Sequence, residues 1–315
     1  MPRIVRFILT LFIISSPALG AGSATQGAFP DLPWGATGAV FGAGSIAWIQ
    51  DPSAVHWNPA LLPHVTQRSF MAGSGDLFGE GLVRHSFAAI ALPFYKNYVD
   101  ADAGGRLTAG GGSEISRVLG FGADILSLDA EGDTYRETRL TVGTAFSSLK
   151  SSTVGCNLSY LSVGGDVTGL SASGYDLDLG LTWHLTDRAQ AGFVMRHALS
   201  NLSWDGGDSE RLNLRLEGGV LLEWNHLFRF PAGLIWDPEG VGLQELSFGV
   251  DYRPALPMQM VGIQAGVRHR PGDDGGTLFS GGLTLTRGRV HAAYGLVAEE
   301  AGLGSTHRFH FGILF

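Results

Sequence analysis

Between Tyr175 and His184 every second residue is apolar: Tyr175, Leu177, Leu179, Leu181 and Trp183 alternate with Asp176, Asp178, Gly180, Thr182 and His184. A period of two is the mark of a strand with one apolar and one polar face. In the next such stretch Leu214, Leu216, Val220 and Leu222 oppose Asn213, Arg215, Glu217 and Glu223. Earlier, Leu140, Val142 and Phe146 oppose Glu137, Arg139 and Thr141. The pattern recurs at 66–75, 82–93, 117–128, 135–146, 153–163, 173–184, 189–199, 211–224, 227–237, 243–252, 260–269, 277–286, 290–298 and 306–315. These fourteen segments form an even set, each near the length of a tilted membrane-spanning strand.

Composition closes other routes. Glycine contributes 47 of 315 residues, which argues against long helices because each interior glycine costs about 1 kcal/mol. Only 16% of residues are charged, yet no apolar run reaches the ~18 residues of a transmembrane helix. Twenty-one basic residues, two of them lysine, face 29 acidic ones, so a nucleic-acid footprint is not expected. The single cysteine, Cys156, excludes a disulfide framework and reads as a small apolar strand residue.

Residues 1–20 read as a secretory leader. Arg3 and Arg6 precede the apolar stretch from Phe7 to Ile14, and Ser15-Ser16-Pro17-Ala18-Leu19-Gly20 supplies small residues for cleavage. The mature chain then carries 19 bases against 29 acids, and it leaves the cytoplasm.

Alternation alone fits a soluble sandwich as well as a barrel, and three features favour the barrel. The last strand places Phe309, Phe311, Ile313 and Phe315 on one face; a terminal Phe closing an amphipathic strand resembles the assembly signal of bacterial outer-membrane barrels. Phe146, Trp183, Trp224 and Trp236 sit at strand ends on the apolar face, where an interfacial girdle belongs. Asp178, Arg215, Glu217 and Asp251 fall on the other face, which a lumen tolerates and a sandwich core does not. Counted from a periplasmic N-terminus, the tight connections 185–188, 225–226 and 287–289 lie on the periplasmic side. The Gly- and Asp-bearing connections 164–172, 200–210, 269–276 and 299–305 lie outside. Two long connections, 94–116 and 253–259, break this parity.

Residues 21–65 differ from the rest. A small-residue run from Trp34 to Gly44 precedes Asp51-Pro52 and Asn58-Pro59. An Asp or Asn followed by Pro reads as an N-cap with a first-turn proline, so two short helical turns are expected, joined at a corner. Trp34, Phe41, Trp48 and Trp57 would be exposed in a free tail, which points to a plug inside a barrel formed by 66–315.

A family resemblance rests on this segment. Gly44-x6-Asp51-Pro52-Ser53-Ala54-x3-Asn58-Pro59-Ala60 resembles the N-terminal signature of the PorV/PorQ group, relatives of the long-chain fatty-acid transporter FadL. Gly174-Tyr175-Asp176-Leu177-Asp178-Leu179-Gly180-Leu181, Ala191-Gly192-Phe193-Val194 and the ending Thr306-His307-Arg308-Phe309 resemble the group's strands. The resemblance implies an all-β, fourteen-stranded transmembrane antiparallel barrel with an N-terminal hatch whose motif residues are Asp51, Pro52, Asn58, Pro59 and Ala60. One departure is the 94–116 segment, where the family pattern has a short turn.

Chemical constellations are sparse. His197, His269, His291, His307 and His310 lie in or beside strands without Cys/His/Glu ligand spacing and read as wall or loop residues. Asp205-Gly206-Gly207-Asp208 and Asp273-Asp274-Gly275-Gly276 read as solvated loop tips, and Gly110-Gly111-Gly112 as a flexible turn. The pairs Glu137 with Arg139 and Arg215 with Glu217 read either as a polar permeation path or as ion pairs stiffening the lumen. No catalytic residue, metal ligand or cofactor is assigned, and an enzyme is not expected. The resemblance implies an outer-membrane accessory of protein secretion or surface attachment; the alternative is a FadL-like passive transporter of hydrophobic small molecules. Expected partners are outer-membrane lipid, the barrel-assembly machinery, and either secretion components and secreted proteins or a hydrophobic ligand.

Overall fold

The alternating segments pair into one antiparallel sheet that closes on itself in the computed structural model, which describes residues 28–30, 32–79, 81, 83–97, 100–101, 107–108, 113–130, 133–149, 151–165, 171–240, 242–256, 259–271, 276–298 and 304–315. The leader, the Gly110–Gly112 turn and Asp273–Gly275 lie outside the described residues. Two members of the 16-stranded sheet, Ser209–Glu210 and Ala255–Leu256, are two-residue ladders. The remaining fourteen are β1 (Ser69–Leu77), β2 (Val83–Asn97), β3 (Ser113–Ala130), β4 (Asp133–Leu149), β5 (Ser152–Gly165), β6 (Ala172–Thr186), β7 (Ala189–Trp204), β8 (Arg215–Glu223), β9 (Phe228–Asp237), β10 (Gly242–Tyr252), β11 (Gln259–His269), β12 (Thr277–Arg287), β13 (Val290–Ala298) and β14 (Ser305–Leu314). Each strand pairs with its sequence neighbours, and β14 pairs with β1 from Ser69↔Leu314 to Asp76↔His307. Closure leaves no strand edge exposed, which is what a sheet in lipid requires.

The faces divide as the period predicts. Tyr175, Leu179 and Trp183 are 45%, 42% and 43% exposed, while Asp176, Asp178 and Thr182 between them are buried. Phe146, Trp224 and Trp236 point outward; Asp251 and Glu217 point in and are buried. A wall that turns its apolar side chains outward and its carboxylates inward inverts a soluble protein and suits a bilayer.

Several boundaries differ from the expectation, each for a local reason. Every described residue of the 94–116 connection is strand: β2 runs on to Asn97, β3 begins at Ser113, and Asp100–Ala101 pairs with Leu107–Thr108. A register shift between Phe94 and Tyr95 breaks the period of two there, which hid the continuation. The 253–259 connection is a hairpin, with Ala255–Leu256 paired to Gln259 and Met260. β1 starts at Ser69 rather than Thr66, and β8 at Arg215 rather than Arg211. Leu212, just ahead of β8, bonds through its amide to the Ser200 hydroxyl at 3.0 Å instead of to a ladder partner.

Phe309, Phe311, Ile313 and Phe315 all face outward on β14 and its end. The Phe315 amide donates to the Arg68 carbonyl at 2.8 Å, extending the seam where the barrel closes. Deleting Phe315 is expected to lower the heat-modifiable outer-membrane form and expose the remainder to periplasmic proteases. Unchanged assembly on a fractionation gel would contradict a role for this residue.

Candidate functional site: the plugged lumen

The segment ahead of the wall is folded inside it. Helix α1 (Gly35–Phe41) runs into a 3-10 helix (Gly42–Ala47); after a turn, α2 (Ala54–Trp57) leads to a second 3-10 helix (Pro59–His64). All of α1 is buried, and Trp34, Phe41, Trp48 and Trp57 are 1%, 0%, 3% and 6% exposed. The small-residue run is therefore helical, which its glycine content did not predict. Neighbouring wall strands supply the packing that its own propensity lacks.

Glycine explains how the plug fits. A methyl group at Gly155 would collide with the backbone of Pro59 and Ala60, one at Gly192 with Ile46, one at Gly233 with Ala43, and one at Gly249 with the Phe41 ring. These inward-facing glycines form a bed for the plug backbone, and much of the compositional excess follows from it.

Short helices leave most of their terminal amides and carbonyls without intrahelical partners, and the inward polar side chains of the wall take them up. His310 Nδ1 accepts the Ala36 amide at 2.9 Å, Ser247 Oγ the Gly44 amide at 3.0 Å, and Asn157 Nδ2 donates to the Val55 carbonyl at 2.8 Å. Ser280 Oγ donates to the Val40 carbonyl at 2.7 Å and Arg308 to the Pro33 carbonyl at 2.8 Å. Glu137 Oε2 accepts the Phe29 amide at 2.8 Å, with the Arg139 guanidinium 5.8 Å from the Phe29 ring centre.

Arg196 on β7 is the densest anchor. It donates to Glu217 at 3.1 Å, to Asp178 at 3.2 Å, to the Trp57 carbonyl at 2.8 Å and to the His56 carbonyl, and is 2% exposed. The paired inward charges, Glu137 with Arg139 and Arg215 with Glu217, thus serve plug attachment and wall bracing.

The motif residues meet at one corner. Asn58 is fully buried; its Oδ1 accepts the Ala60 amide at 3.0 Å, while Nδ2 donates to the Ile46 carbonyl at 3.0 Å and the Leu181 carbonyl at 3.3 Å. Pro59 follows as the first residue of the second 3-10 helix, and Gly180 on β6 leaves room for the Asn58 side chain. Asn58 thereby caps one helix and ties it to the other and to the wall. Asp51 differs from the expected N-cap. Its carboxylate accepts the Ser53 amide at 2.8 Å and the Ser53 hydroxyl, closing a turn around Pro52, and Ser53 stands at the N-cap position of α2. Replacing Asn58 with Ala is expected to cost about 1 kcal/mol for the lost cap. The Ile46 and Leu181 carbonyls also lose a donor, so chemical denaturation should show at least that loss.

His64, at the far end of the plug, stacks on His184 of β6 with ring centres 5.4 Å apart. Burial, then the neighbouring His184, lowers its pKa to about 4. The docked plug therefore holds a neutral imidazole, and the undocked chain takes up a proton below about 6.5. Docking of this end is expected to be independent of pH above 6.5 and to weaken as pH falls from there toward 4. Protease accessibility of the plug against pH checks this, and His64→Gln should flatten the profile.

Together these observations define a closed fourteen-strand antiparallel barrel with an N-terminal plug, the fold of FadL-type outer-membrane channels. Solved structures similar to it are the CymD monoaromatic hydrocarbon channel (TM-score 0.62, 12% identity, 91% of this chain and 99% of that one) and the Pseudomonas putida toluene transporter TodX (0.57, 11%, 90% and 99%). A Pseudomonas aeruginosa FadL homologue aligns with a TM-score of 0.51 and 12% identity over 88% of this chain and 97% of its own. No protein-family model and no curated protein matches the chain in sequence.

Proposed function

We propose that this chain is an outer-membrane channel that passes small hydrophobic molecules by a passive route. The observation that carries the reading is the barrel's plugged lumen, occupied by short buried helices bonded along their length to the wall, in a fold aligned over nine-tenths of the chain with hydrocarbon channels. A plugged barrel suits solutes admitted through particular contacts, and it does not suit a general aqueous pore. The cleaved leader, insertion by the barrel-assembly machinery and contact with outer-membrane lipid belong to the same reading, which includes no catalytic step.

The PorV/PorQ resemblance points instead to an accessory of protein secretion or surface attachment. It rests on the Gly44 to Ala60 signature, and those residues are used here to hold the plug corner. The structural neighbours favour transport. Purification from native membranes followed by mass spectrometry separates the two. The transport reading expects small apolar compounds bound in stoichiometric amounts, whereas co-purifying secretion components or secreted proteins without such compounds would favour the accessory.

A further inference from the structure

On β7 the side chains of Gln190, Val194 and Arg196 are buried toward the lumen, and Leu199, of the opposite parity, is 56% exposed toward lipid. By that parity His197 belongs on the lipid face. A register shift intervenes: Leu177 pairs with Leu199 and Leu179 with Met195, so Asp178 on β6 faces the three residues from Arg196 to Ala198. Within this bulge His197 adopts φ = 55°, a left-handed conformation rare for a residue with a Cβ. The result turns the imidazole inward, where His197 Nδ1 lies 2.9 Å from Asp176 Oδ2 and the His197 amide donates to Asp178 Oδ1 at 2.9 Å. Backbone strain combined with broken ladder pairing marks a place where a side-chain position matters more than regular pairing.

The cluster sets three carboxylates against two guanidiniums and one imidazole. Three buried carboxylates, Asp176, Asp178 and Glu217, share the guanidiniums of Arg196 and Arg215 in the ion pairs of the described residues, with His197 against Asp176. Asp176 is 1% exposed, and its Oδ1 has no hydrogen-bond partner among the described residues. A buried carboxylate oxygen left in this way is costly.

We propose that Asp176, Asp178 and His197 form a binding site for a divalent transition-metal ion of the zinc type. One ligand atom from each residue lies within 4.8 Å of the others. Two carboxylates and one imidazole make a mixed N/O donor set that suits zinc and its first-row neighbours better than calcium or magnesium, which prefer oxygen alone. The ion adds positive charge beside three carboxylates, engages the Asp176 Oδ1 atom that lacks a partner among the described residues, and bridges β6 to the bulge of β7 where ladder bonds are lost. Arg196, next in sequence to His197, holds the carbonyls of His56 and Trp57, so the ion also braces the wall segment from which the plug hangs.

The test uses the full-length protein in detergent, stripped with chelator and titrated with zinc chloride, with retained metal counted after gel filtration. The expected result is one zinc per chain, with affinity weakened in Asp176→Asn and His197→Gln by more than about a hundredfold, the upper end of what loss of an outer-shell partner does. His291 and His310 also meet in the lumen, Nε2 to Nε2 at 2.9 Å; a His291→Gln/His310→Gln double variant should keep the zinc, which excludes these two as its ligands. Heat-modifiability confirms that each variant is folded. Equal zinc retention by folded wild-type and Asp176→Asn proteins, or none by either, overturns the site and leaves the His197–Asp176 contact as a plain side-chain hydrogen bond. The outcome does not depend on what the channel transports.

Discussion

Removing residues 25 to 65 is expected to turn a barrel that is silent in planar bilayers into one that conducts steadily. Four short helices and the aromatic side chains of Trp34, Phe41, Trp48 and Trp57 occupy the lumen, and the wall beneath them is lined with glycines that leave no side chain to refill the space. A fourteen-strand wall lies between eight-stranded barrels, whose interior side chains fill them, and 16- to 18-stranded porins, which hold an aqueous channel. Without its plug the lumen is bordered by Asp178, Arg196, Glu217, Asp251 and Arg308, and such a surface fills with water. Ion flow should therefore rise from background to the order seen for open barrels. A steady current from the intact protein, or an unchanged one after deletion in a barrel that remains heat-modifiable, would show that the plug does not seal.

The largest effect of a single substitution is expected at Arg196. Arg196→Met leaves Glu217 and Asp178 buried with reduced compensation and withdraws the donors from the His56 and Trp57 carbonyls. Breaking one side of a buried ion pair costs about 3–5 kcal/mol, several times the expected loss at Asn58. Arg196→Lys should rescue little, because one ammonium on a flexible stem cannot reproduce a planar fork that reaches two carboxylates and two carbonyls. Denaturant midpoints of the three proteins measure this directly. Arg196→Met should also show flickering conductance, since the plug hangs from the residue removed.

The wall was legible because a period of two survives wherever one face meets lipid and the other a polar interior. Trp224 and Asp178 can be assigned to opposite faces by counting alone. Reading failed where the period breaks for a structural reason. The Phe94/Tyr95 bulge concealed the far ends of β2 and β3, and the bulge at His197 concealed the meeting of that residue with Asp176 and Asp178. A search for ligands close together along the chain misses this arrangement: an Asp-x-Asp pair on one strand and a histidine turned inward on the next. The plug was legible at Asn58-Pro59, where capping is local chemistry. Helix α1 was not, because a glycine-rich run becomes helical only once a glycine-lined wall closes around it. The polar inward positions could be located, yet their work of satisfying plug amides and carbonyls depends on contacts more than a hundred residues apart, such as Phe29 with Glu137.

On the proposed function this lumen is shut to water-soluble compounds and open to small apolar ones. This is tested most directly by uptake of radiolabelled toluene across the lipopolysaccharide-bearing outer membrane of cells that do or do not carry the protein, with a labelled disaccharide measured in parallel. Faster toluene entry is expected with the protein present, and no change for the sugar. Faster sugar entry, or toluene entry unchanged by a correctly assembled barrel, would contradict it.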